Sequence, residues 1–261
     1  MNIIAVIPAR MESSRFYGKP LKKICGMPMI GHVFNRVKMC KLLSDVYIAT
    51  CNDEIKDYAN SIGAKAIMTK NTHERATDRV SEAIKKIERK TKKKIDIVVM
   101  VQGDEPMIHP NMINDSVAPL IKNKEIEVTN LMSEIKSVSE WQDPNEVKVV
   151  VDRDNCALYF SREPIPSSKK FDQKIVSYKQ VCVISFTKKS LINYCELDET
   201  ILEKIESVDM NRLLENNIKI KMVLTNRITY AVDTSNDLKV VNELLMNDKL
   251  LNSYNWSEQI F

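Results

Sequence analysis

Closely spaced pairs of metal ligands are missing from this sequence. Its six cysteines include no Cys-x-x-Cys pair, and its three histidines stand far from one another. Because structural zinc sites usually take their ligands in short-spaced pairs, this pattern argues against such a site. We therefore expect the cysteines to be small buried side chains in a protein of a reducing compartment.

Long apolar runs are also missing. No stretch approaches the ~18 consecutive apolar residues of a membrane span, and no basic segment precedes the short apolar run at the N-terminus. The charge balance, 39 Lys and Arg against 35 Asp and Glu, leaves +4 and not the concentrated basic face of a duplex-DNA binder. These absences predict a cytoplasmic protein that binds neither membrane nor nucleic acid.

Short apolar runs alternate with helical patterns in the first half of the chain. The predicted strands are 3–7, 45–50, 65–68 and 95–101, and the predicted helices are 29–42, 53–62, 77–92 and 111–123. The strands are apolar throughout instead of alternating, as in a parallel sheet buried on both faces. An α/β fold with an open, mostly parallel sheet follows, and ligands bind such sheets beyond the carboxyl ends of the strands.

The second half mixes strands and helices less regularly. It predicts strands at 126–132, 146–151, 157–160, 180–186 and 218–224, and helices at 188–194, 199–216 and 235–247. We interpret the chain as a single domain with halves 1–123 and 124–261. The second half then holds an inserted β-rich lobe at about 150–185, within which 163–178 is predicted to be a mobile loop.

Local signals place some helix ends. Asp53 is a plausible N-cap and Gly63 the glycine that closes the same helix. Thr77 could cap the next helix, and Arg75 or Arg79 could reach a nucleotide from there. A capped helix with solvent-facing arginines would give the same pattern.

The loop after the first strand combines cations, hydroxyls and a glycine. Arg10, Arg15 and Lys19 lie within ten residues, together with Ser13 and Gly18. Cationic side chains, hydroxyls and backbone N–H groups are what a triphosphate needs from its binding site. Both common nucleotide loops, G-x-x-x-x-G-K-[ST] and G-x-G-x-x-G, are absent. A solvated surface loop is the alternative.

Two carboxylates stand where a metal could bind. The fourth strand ends in Gln102, Gly103 and Asp104, and Asp233 precedes the C-terminal helix. Mg²⁺ prefers hard oxygen ligands and usually takes one or two carboxylates plus phosphate. A glycine at 103 would let a ligand approach the backbone closely. For either aspartate alone, a turn or helix cap explains the sequence equally well.

In order along the chain, these segments resemble the 3-deoxy-manno-octulosonate (Kdo) cytidylyltransferases, also called CMP-Kdo synthetases. The resemblance rests on Ile7-Pro8-Ala9-Arg10, Gly18-Lys19-Pro20-Leu21, Thr77-Asp78-Arg79, Val101-Gln102-Gly103-Asp104-Glu105-Pro106, Pro144-Asn145-Glu146-Val147-Lys148, Ala157-Leu158-Tyr159-Phe160-Ser161-Arg162 and Val232-Asp233-Thr234. It implies a fold of the nucleotide-diphospho-sugar transferase type and a homodimer with the inserted lobe at its interface. The implied reaction transfers CMP from CTP to the anomeric hydroxyl of a keto-sugar acid and releases pyrophosphate, for cell-surface polysaccharide biosynthesis.

The same resemblance assigns roles to single residues. Arg10, Lys19, Asp104 and Asp233 would be catalytic, and the two aspartates would hold Mg²⁺. The implied nucleotide-binding residues are Ala9, Arg10, Ser13, Arg15, Lys19, Thr77, Arg79 and Gln102. The implied sugar-binding residues are Arg162, Gln180, Asp209, Asn145 and Lys148, with Arg162 as the partner of the sugar carboxylate.

The departures from the family pattern fall mainly on the sugar half. Tyr17 replaces a usual proline and Ala76 a usual glycine at the nucleotide end. The family stretch H-x-G-x-Y is Gln180-Val181-Cys182-Val183-Ile184 here, and L-E-Q-L-R is Val208-Asp209-Met210-Asn211-Arg212. Loss of an imidazole, a phenol and an amide suggests a different or modified sugar acid, since such sites discriminate through hydrogen bonds.

Three hypotheses remain at this point. The first is a CMP-sugar synthetase acting on Kdo or a close relative. The second is the same chemistry on another acid, such as an amino-substituted or nine-carbon sugar. The third is a nucleotide-binding homologue without catalytic activity, against which the retained Arg10, Lys19, Asp104 and Asp233 argue.

Overall fold

The structure is a computed structural model that describes residues 1–12, 16–168 and 176–254. Its strands are β1 Ile3–Ala9, β2 Lys23–Ile24, β3 Met27–Pro28, β4 Asp45–Thr50, β5 Lys65–Met68, β6 Ile97–Val101, β7 Val128–Glu134, β8 Lys148–Val151, β9 Ala157–Ser161, β10 Tyr178–Thr187 and β11 Lys221–Leu224. Its helices are α1 Met29–Lys38, α2 Asp53–Ser61, α3 Ala76–Thr91, α4 Pro110–Lys122, α5 Val138–Gln142, α6 Lys188–Glu196, α7 Ile201–Glu206, α8 Asp209–Glu215 and α9 Ser235–Met246.

One twisted sheet organises the described residues. Its central path runs β11-β7-β10-β6-β1-β4-β5, and β8 and β9 extend it beside the start of β10. Along this path only β10 runs against its neighbours, while the pairs of β1 with β4 and β6, of β4 with β5, and of β7 with β11 are parallel. The predicted open, mostly parallel α/β sheet is confirmed.

The sheet is covered by helices on both faces. In β1, Ile3, Ala5 and Ile7 pack with α1, α2 and α4, whereas Ile4 and Val6 pack with α3, α6 and α8 on the other face. Every residue of β1 is buried, which explains why its sequence is apolar throughout. The chain moves from β1 outward to β5 and returns to β6 on the other side of β1, so a crevice opens between the ends of β1 and β6.

Predicted helix ends are partly wrong. Asn52, and not Asp53, is the N-cap of α2, while Gly63 follows its C-cap with φ +70°, as predicted. Thr77 is not a cap, because α3 begins at Ala76 with Arg75 as its N-cap.

The predicted helix 199–216 is two helices. Ser207 has φ +52° and separates α7 from α8. In one continuous helix, Glu203 and Arg212 would lie about 180° apart around the axis. The break instead brings them together, with Arg212 Nε 2.7 Å from Glu203 Oε2 and Nη2 2.7 Å from Oε1. A buried bidentate ion pair therefore fixes the angle between the two helices.

The segment at about 150–185 is joined to the main sheet. Strands β8 and β9 pair with each other and β8 pairs with β10, which also lies between β6 and β7. Of the predicted loop at 163–178, residues 169–175 lie outside the described residues. The division into halves and a lobe stays a prediction. In the described ranges, no helix has the length and apolar character to cross a bilayer.

Candidate active site

The carboxyl ends of β1 and β6 border a cavity of about 420 Å³. Most of the sequence-predicted site residues line it: Ala9, Arg10, Lys19, Arg79, Gln102, Asp104, Asn145, Arg162, Gln180, Asp209 and Asp233. Thr77 and Lys148 are absent from this lining, and both are fully buried. The topology therefore gathers residues from 9 to 233 at one edge of the sheet, as the strand pattern predicts.

Gly103 allows the carboxyl ends of β1 and β6 to lie close together. A Cβ there would lie 3.0 Å from the carbonyl oxygen of Pro8 and 3.2 Å from Ile30 Cδ1. The sequence predicts that Gly103 lets a ligand approach the backbone closely. The missing side chain also lets the loop after β1 approach closely. This packing sets the distance between the two loops that carry Arg10 and Asp104.

Lys19, Asp104 and Asp233 meet at the floor of the cavity. Lys19 Nζ lies 2.7 Å from Asp104 Oδ2 and 3.3 Å from Asp233 Oδ1. The backbone brings the aspartates together, because Val232 N–H donates to the Asp104 carbonyl oxygen at 3.0 Å. Thr234 caps α9 directly after Asp233, so this carboxylate stands at a fixed helix start.

The two carboxylates of this cluster favour the protonated, cationic form of Lys19. Burial lowers the pKa of Lys19, but Asp104 and Asp233 outweigh burial and the pKa is raised overall. The amine therefore stays protonated across the physiological pH range. Its ammonium group demonstrates that the space between the two carboxylates accommodates a cation.

The two aspartates fit a magnesium ion. No group of three or more His, Cys, Asp or Glu side chains that could hold a metal occurs among residues 1–12, 16–168 and 176–254. Mg²⁺ does not need one, because it keeps waters and phosphate oxygens as its other ligands. Carboxylate oxygens that already share one cation are a suitable protein contribution to such a site.

Two arginines of the cavity lining converge on one peptide carbonyl. Arg10 Nη1 and Arg79 Nη2 both donate to the carbonyl oxygen of His73 at 3.4 Å. Arg79 also donates to Thr69 Oγ1 at 2.7 Å and is 2% exposed, whereas Arg10 is exposed. Arg79 thus shapes the 69–73 loop, and Arg10 keeps most of its guanidinium open. Ser13 and Arg15 lie outside the described residues.

Thr77 and Asp209 join the two halves of the chain behind the cavity wall. Asp209 Oδ2 accepts from Thr77 Oγ1 at 2.7 Å and from Thr77 N at 3.3 Å. Arg75 Nε lies 3.3 Å from Glu203 Oε1, and its Nη1 donates to Ser207 Oγ at 2.9 Å. Burial raises the pKa of Asp209, and the bonds from Thr77 oppose that rise. This contact ties the start of α3 to α7 and α8.

The arginine at the other end of the cavity is fixed by backbone carbonyls. Arg162 Nε donates to Glu206 O at 2.7 Å and Nη1 to Pro144 O at 2.9 Å. Arg162 also lines the cavity.

Lys148 does not take the predicted position of a sugar contact. It is 0% exposed, and its ammonium donates to the carbonyl oxygens of Asp143, Glu146 and Arg162. Burial lowers its pKa. Since its donors are spent on backbone acceptors, Lys148 supports the segment around Asn145 and the end of β9 without facing the cavity.

The cavity also contains charged side chains that sequence reasoning missed. Lys179 lies between Glu140 at 2.8 Å and Glu146 at 2.9 Å. Glu105, which is 4% exposed, has its pKa raised to about 8 by burial and by the neighbouring Asp104. Glu105 could have been noticed beside Asp104 in the sequence, but nothing in the pattern of β10 singles out Lys179.

Comparisons with known proteins agree with this geometry. The cytidylyltransferase family model matches residues 4–220. The 3-deoxy-manno-octulosonate cytidylyltransferase of Geobacter metallireducens is 39% identical over 94% of this chain and 98% of its own length. The protein with that name from Thermodesulfovibrio yellowstonii is 39% identical over 97% of this chain and 100% of its own.

The chain belongs to the 3-deoxy-manno-octulosonate cytidylyltransferase family. A solved CMP:2-keto-3-deoxy-manno-octonic acid synthetase complexed with CTP superposes with a TM-score of 0.84 at 36% identity, covering 94% of this chain and 99% of that one. A cytidylyltransferase from Leptospira borgpetersenii shares the fold, with a TM-score of 0.63 at 17% identity. The predicted family and its fold type are confirmed.

Proposed function

We propose that this protein transfers CMP from CTP to the anomeric hydroxyl of 3-deoxy-manno-octulosonate, releasing pyrophosphate for cell-surface polysaccharide biosynthesis. The observation that carries the proposal is the Lys19, Asp104 and Asp233 cluster in the cavity of a member of this family. A scaffold protein would have no need to hold two carboxylates and a lysine together at this edge of the sheet.

CTP occupies the end of the cavity beyond β1 and β6. Arg10 and Lys19 neutralise the triphosphate, because one guanidinium is exposed and one ammonium is held at the floor. Ser13 and Arg15 of the same loop are proposed to complete the phosphate contacts, and Ala9 and Gln102 to line the base and ribose. Thr77 and Arg79 contribute indirectly, because their hydrogen bonds hold the 73–79 segment in place.

Asp104 and Asp233 are proposed to hold Mg²⁺. When bound, the ion supplies Lewis-acid polarisation of phosphate and sugar oxygens. The chain's own contribution is alignment of the sugar hydroxyl with the α-phosphorus and stabilisation of the charge on the leaving pyrophosphate. Lys19 is proposed to contribute most to the latter, since its ammonium lies between the two carboxylates in the cavity where the triphosphate is proposed to bind.

The sugar acid occupies the end lined by Asn145, Arg162 and Gln180. Arg162 is the proposed partner of the sugar carboxylate, because it lines the cavity and two backbone carbonyls hold its guanidinium there. Asp209 also lines the cavity and is a further candidate for contact with the sugar.

A second acid is favoured by one observation. Gln180, Cys182 and Ile184 replace the histidine, glycine and tyrosine of the family stretch, and all of them line the cavity. An amino-substituted or nine-carbon keto-acid is therefore the alternative acceptor.

We also propose a homodimer in the cytoplasm. Leu158 on β9 is 61% exposed and Val176 is 52% exposed, so both apolar side chains are available for contact with a second subunit. Both lie in the segment at about 150–185, where the family resemblance places the subunit interface.

Pyrophosphate release tests the function. The purified protein is incubated with CTP, Mg²⁺ and each of a panel of keto-sugar acids, with each of the other nucleoside triphosphates as a control. We expect release with CTP and 3-deoxy-manno-octulosonate. Release only with another acid would replace the proposed acceptor, and release with none would contradict the proposed activity.

A further inference from the structure

Strand β10 is irregular where it borders the sugar end of the cavity. Its pairing with β7 shifts between Val181 and Ile184, so Cys182 and Val183 form a bulge opposite Leu131 and Asn130. The loop after β6 forms a hydrogen bond with the bulge, in which Gln102 N–H donates to Cys182 O at 3.1 Å. Bulges beside active sites commonly redirect side chains, and this one sets the direction of Gln180 and Cys182.

Asn130 of β7 stabilises the bulge through hydrogen bonds from its buried side chain. It is 0% exposed, and its Nδ2 lies 2.8 Å from Val181 O, 3.0 Å from Leu131 O and 3.3 Å from Val183 O. Carbonyl oxygens only accept hydrogen bonds, so the amide nitrogen of Asn130 must face them. Its Oδ1 must then point the other way.

The orientation of Asn130 fixes that of Gln180. Gln180 Nε2 donates to Asn130 Oδ1 at 2.6 Å. Because Oδ1 accepts only, Gln180 has to present its nitrogen there, and its own Oε1 is left on the other side of the amide. No donor among the described residues reaches this Oε1, and Gln180 lines the cavity. An acceptor of fixed direction is therefore available to a ligand.

We infer that Asn130 and Gln180 are the specificity-determining pair of the sugar end. Gln180 Oε1 accepts a hydrogen bond from a hydroxyl of the sugar acid, and Asn130 is the positioning residue that keeps the amide from flipping. This inference rests on the proposed function. A second tie holds the strand in place, since Gln180 N–H donates to Val147 O at 2.8 Å, next to Asn145 and Glu146.

The amide of Gln180, whose orientation is fixed by Asn130, differs chemically from an imidazole at position 180. A histidine ring can donate or accept depending on its protonation, whereas the pinned Gln180 offers a carbonyl acceptor at every pH. A site that hydrogen-bonds one hydroxyl rejects acids that lack it, because the buried group would lose its partner. The pair thus explains how this chain can use a neutral amide where the family pattern has histidine.

Substitution of the pair tests the inference. Gln180→Leu keeps a similar volume and removes the acceptor, so it should raise KM for the sugar acid roughly 10-fold or more while KM for CTP changes less than about 2-fold. Asn130→Ala should change KM in the same direction, by a smaller factor. Gln142→Leu, the same replacement on exposed α5, serves as the matched control and should leave both KM values unchanged.

The combined variant separates positioning from stability. If Asn130 acts through Gln180, then Asn130→Ala in a Gln180→Leu background adds no further rise in KM, although it still lowers the melting temperature. A KM for the acid that is unchanged in Gln180→Leu, or multiplicative effects in the double variant, would overturn the inference. Gln180→Leu decides alone if Asn130→Ala does not fold.

Failure of the inference can be told from failure of the proposed function. A wild-type protein that transfers CMP to none of the acids removes both. An active wild type with an unaffected Gln180→Leu variant removes only the role of the pair.

Discussion

The two ends of the cavity differ in how their charged side chains are held. At the proposed nucleotide end, charged side chains are held by one another or left open, as in the cluster of Lys19 with Asp104 and Asp233 and in the exposed Arg10. At the proposed sugar end, Arg162 is held by two backbone carbonyls. Selectivity at that end is proposed to depend on neutral groups of fixed direction.

This difference explains where the chain departs from its family. A triphosphate and a divalent ion demand charge, and few residue types can replace Arg, Lys or Asp in that role. Hydrogen bonds to sugar hydroxyls can be made by many neutral side chains, so Gln180 can stand where the family pattern has histidine. The proposed nucleotide end therefore keeps its charged residues, and most of the replacements lie at the proposed sugar end.

The largest effect is expected from the two carboxylates that are proposed to hold Mg²⁺. Asp104→Asn should lower kcat by roughly 100-fold or more, because it removes a negative ligand while preserving shape. Asp233→Asn should act alike. Mn²⁺ binding in the presence of CTP, followed by electron paramagnetic resonance, should weaken in both variants, with melting temperatures near that of the wild type.

Exposed Asp53, whose Oδ1 lies 2.6 Å from Lys56 Nζ on the surface of α2, offers the matched control. Asp53→Asn should leave both kcat and Mn²⁺ binding unchanged. Undiminished Mg²⁺-dependent turnover in Asp104→Asn would mean that the metal is bound elsewhere.

A smaller effect is expected at Arg162, and it should be confined to the sugar end. Arg162→Ala removes the proposed partner of the sugar carboxylate and should raise KM for the acid roughly 10- to 100-fold, with KM for CTP nearly unchanged. Arg162→Lys should fall between the two, since an ammonium cannot bind the carboxylate bidentately. A rise confined to KM for CTP would show that Arg162 belongs to the other end of the cavity.

The smallest effect is expected from the contact that joins the two halves. Asp209→Ala removes the acceptor of Thr77 and should weaken CTP binding roughly 3- to 10-fold in calorimetry without the acid present. Thr77→Val should reproduce this loss, because it breaks the same bond from the other side. If Asp209→Ala instead raised only KM for the acid, Asp209 would be a sugar contact and not a support for α3.

Much of the fold and of the nucleotide end could be predicted from the sequence. Apolar runs such as β1 are buried on both faces, so their composition reports the sheet directly, and the polar residues that follow β1 and β6 must lie at its carboxyl edge. The cluster of Lys19 with Asp104 was within reach of such reasoning. The meeting with Asp233 was not, because it depends on a backbone hydrogen bond between Val232 and Asp104.

The sugar end could not be predicted to the same depth. Lys148 was expected to face the ligand, but three carbonyl oxygens bind its ammonium inside the protein. Asn130 lies in a strand of mixed apolar and polar residues with no local sign of function, and its proposed role arises from a bulge in β10. Such roles depend on contacts between distant segments, for which sequence periodicity gives no signal.

The ³¹P nuclear magnetic resonance spectrum of one reaction tests the central claim most directly. The wild-type protein is mixed with CTP, Mg²⁺ and 3-deoxy-manno-octulosonate, and the phosphorus products are followed over time. Cytidylyl transfer predicts a phosphodiester and pyrophosphate that appear together in equal amounts as CTP disappears. Appearance of CDP with orthophosphate, or loss of CTP without a phosphodiester, would contradict attack at the α-phosphorus by the sugar.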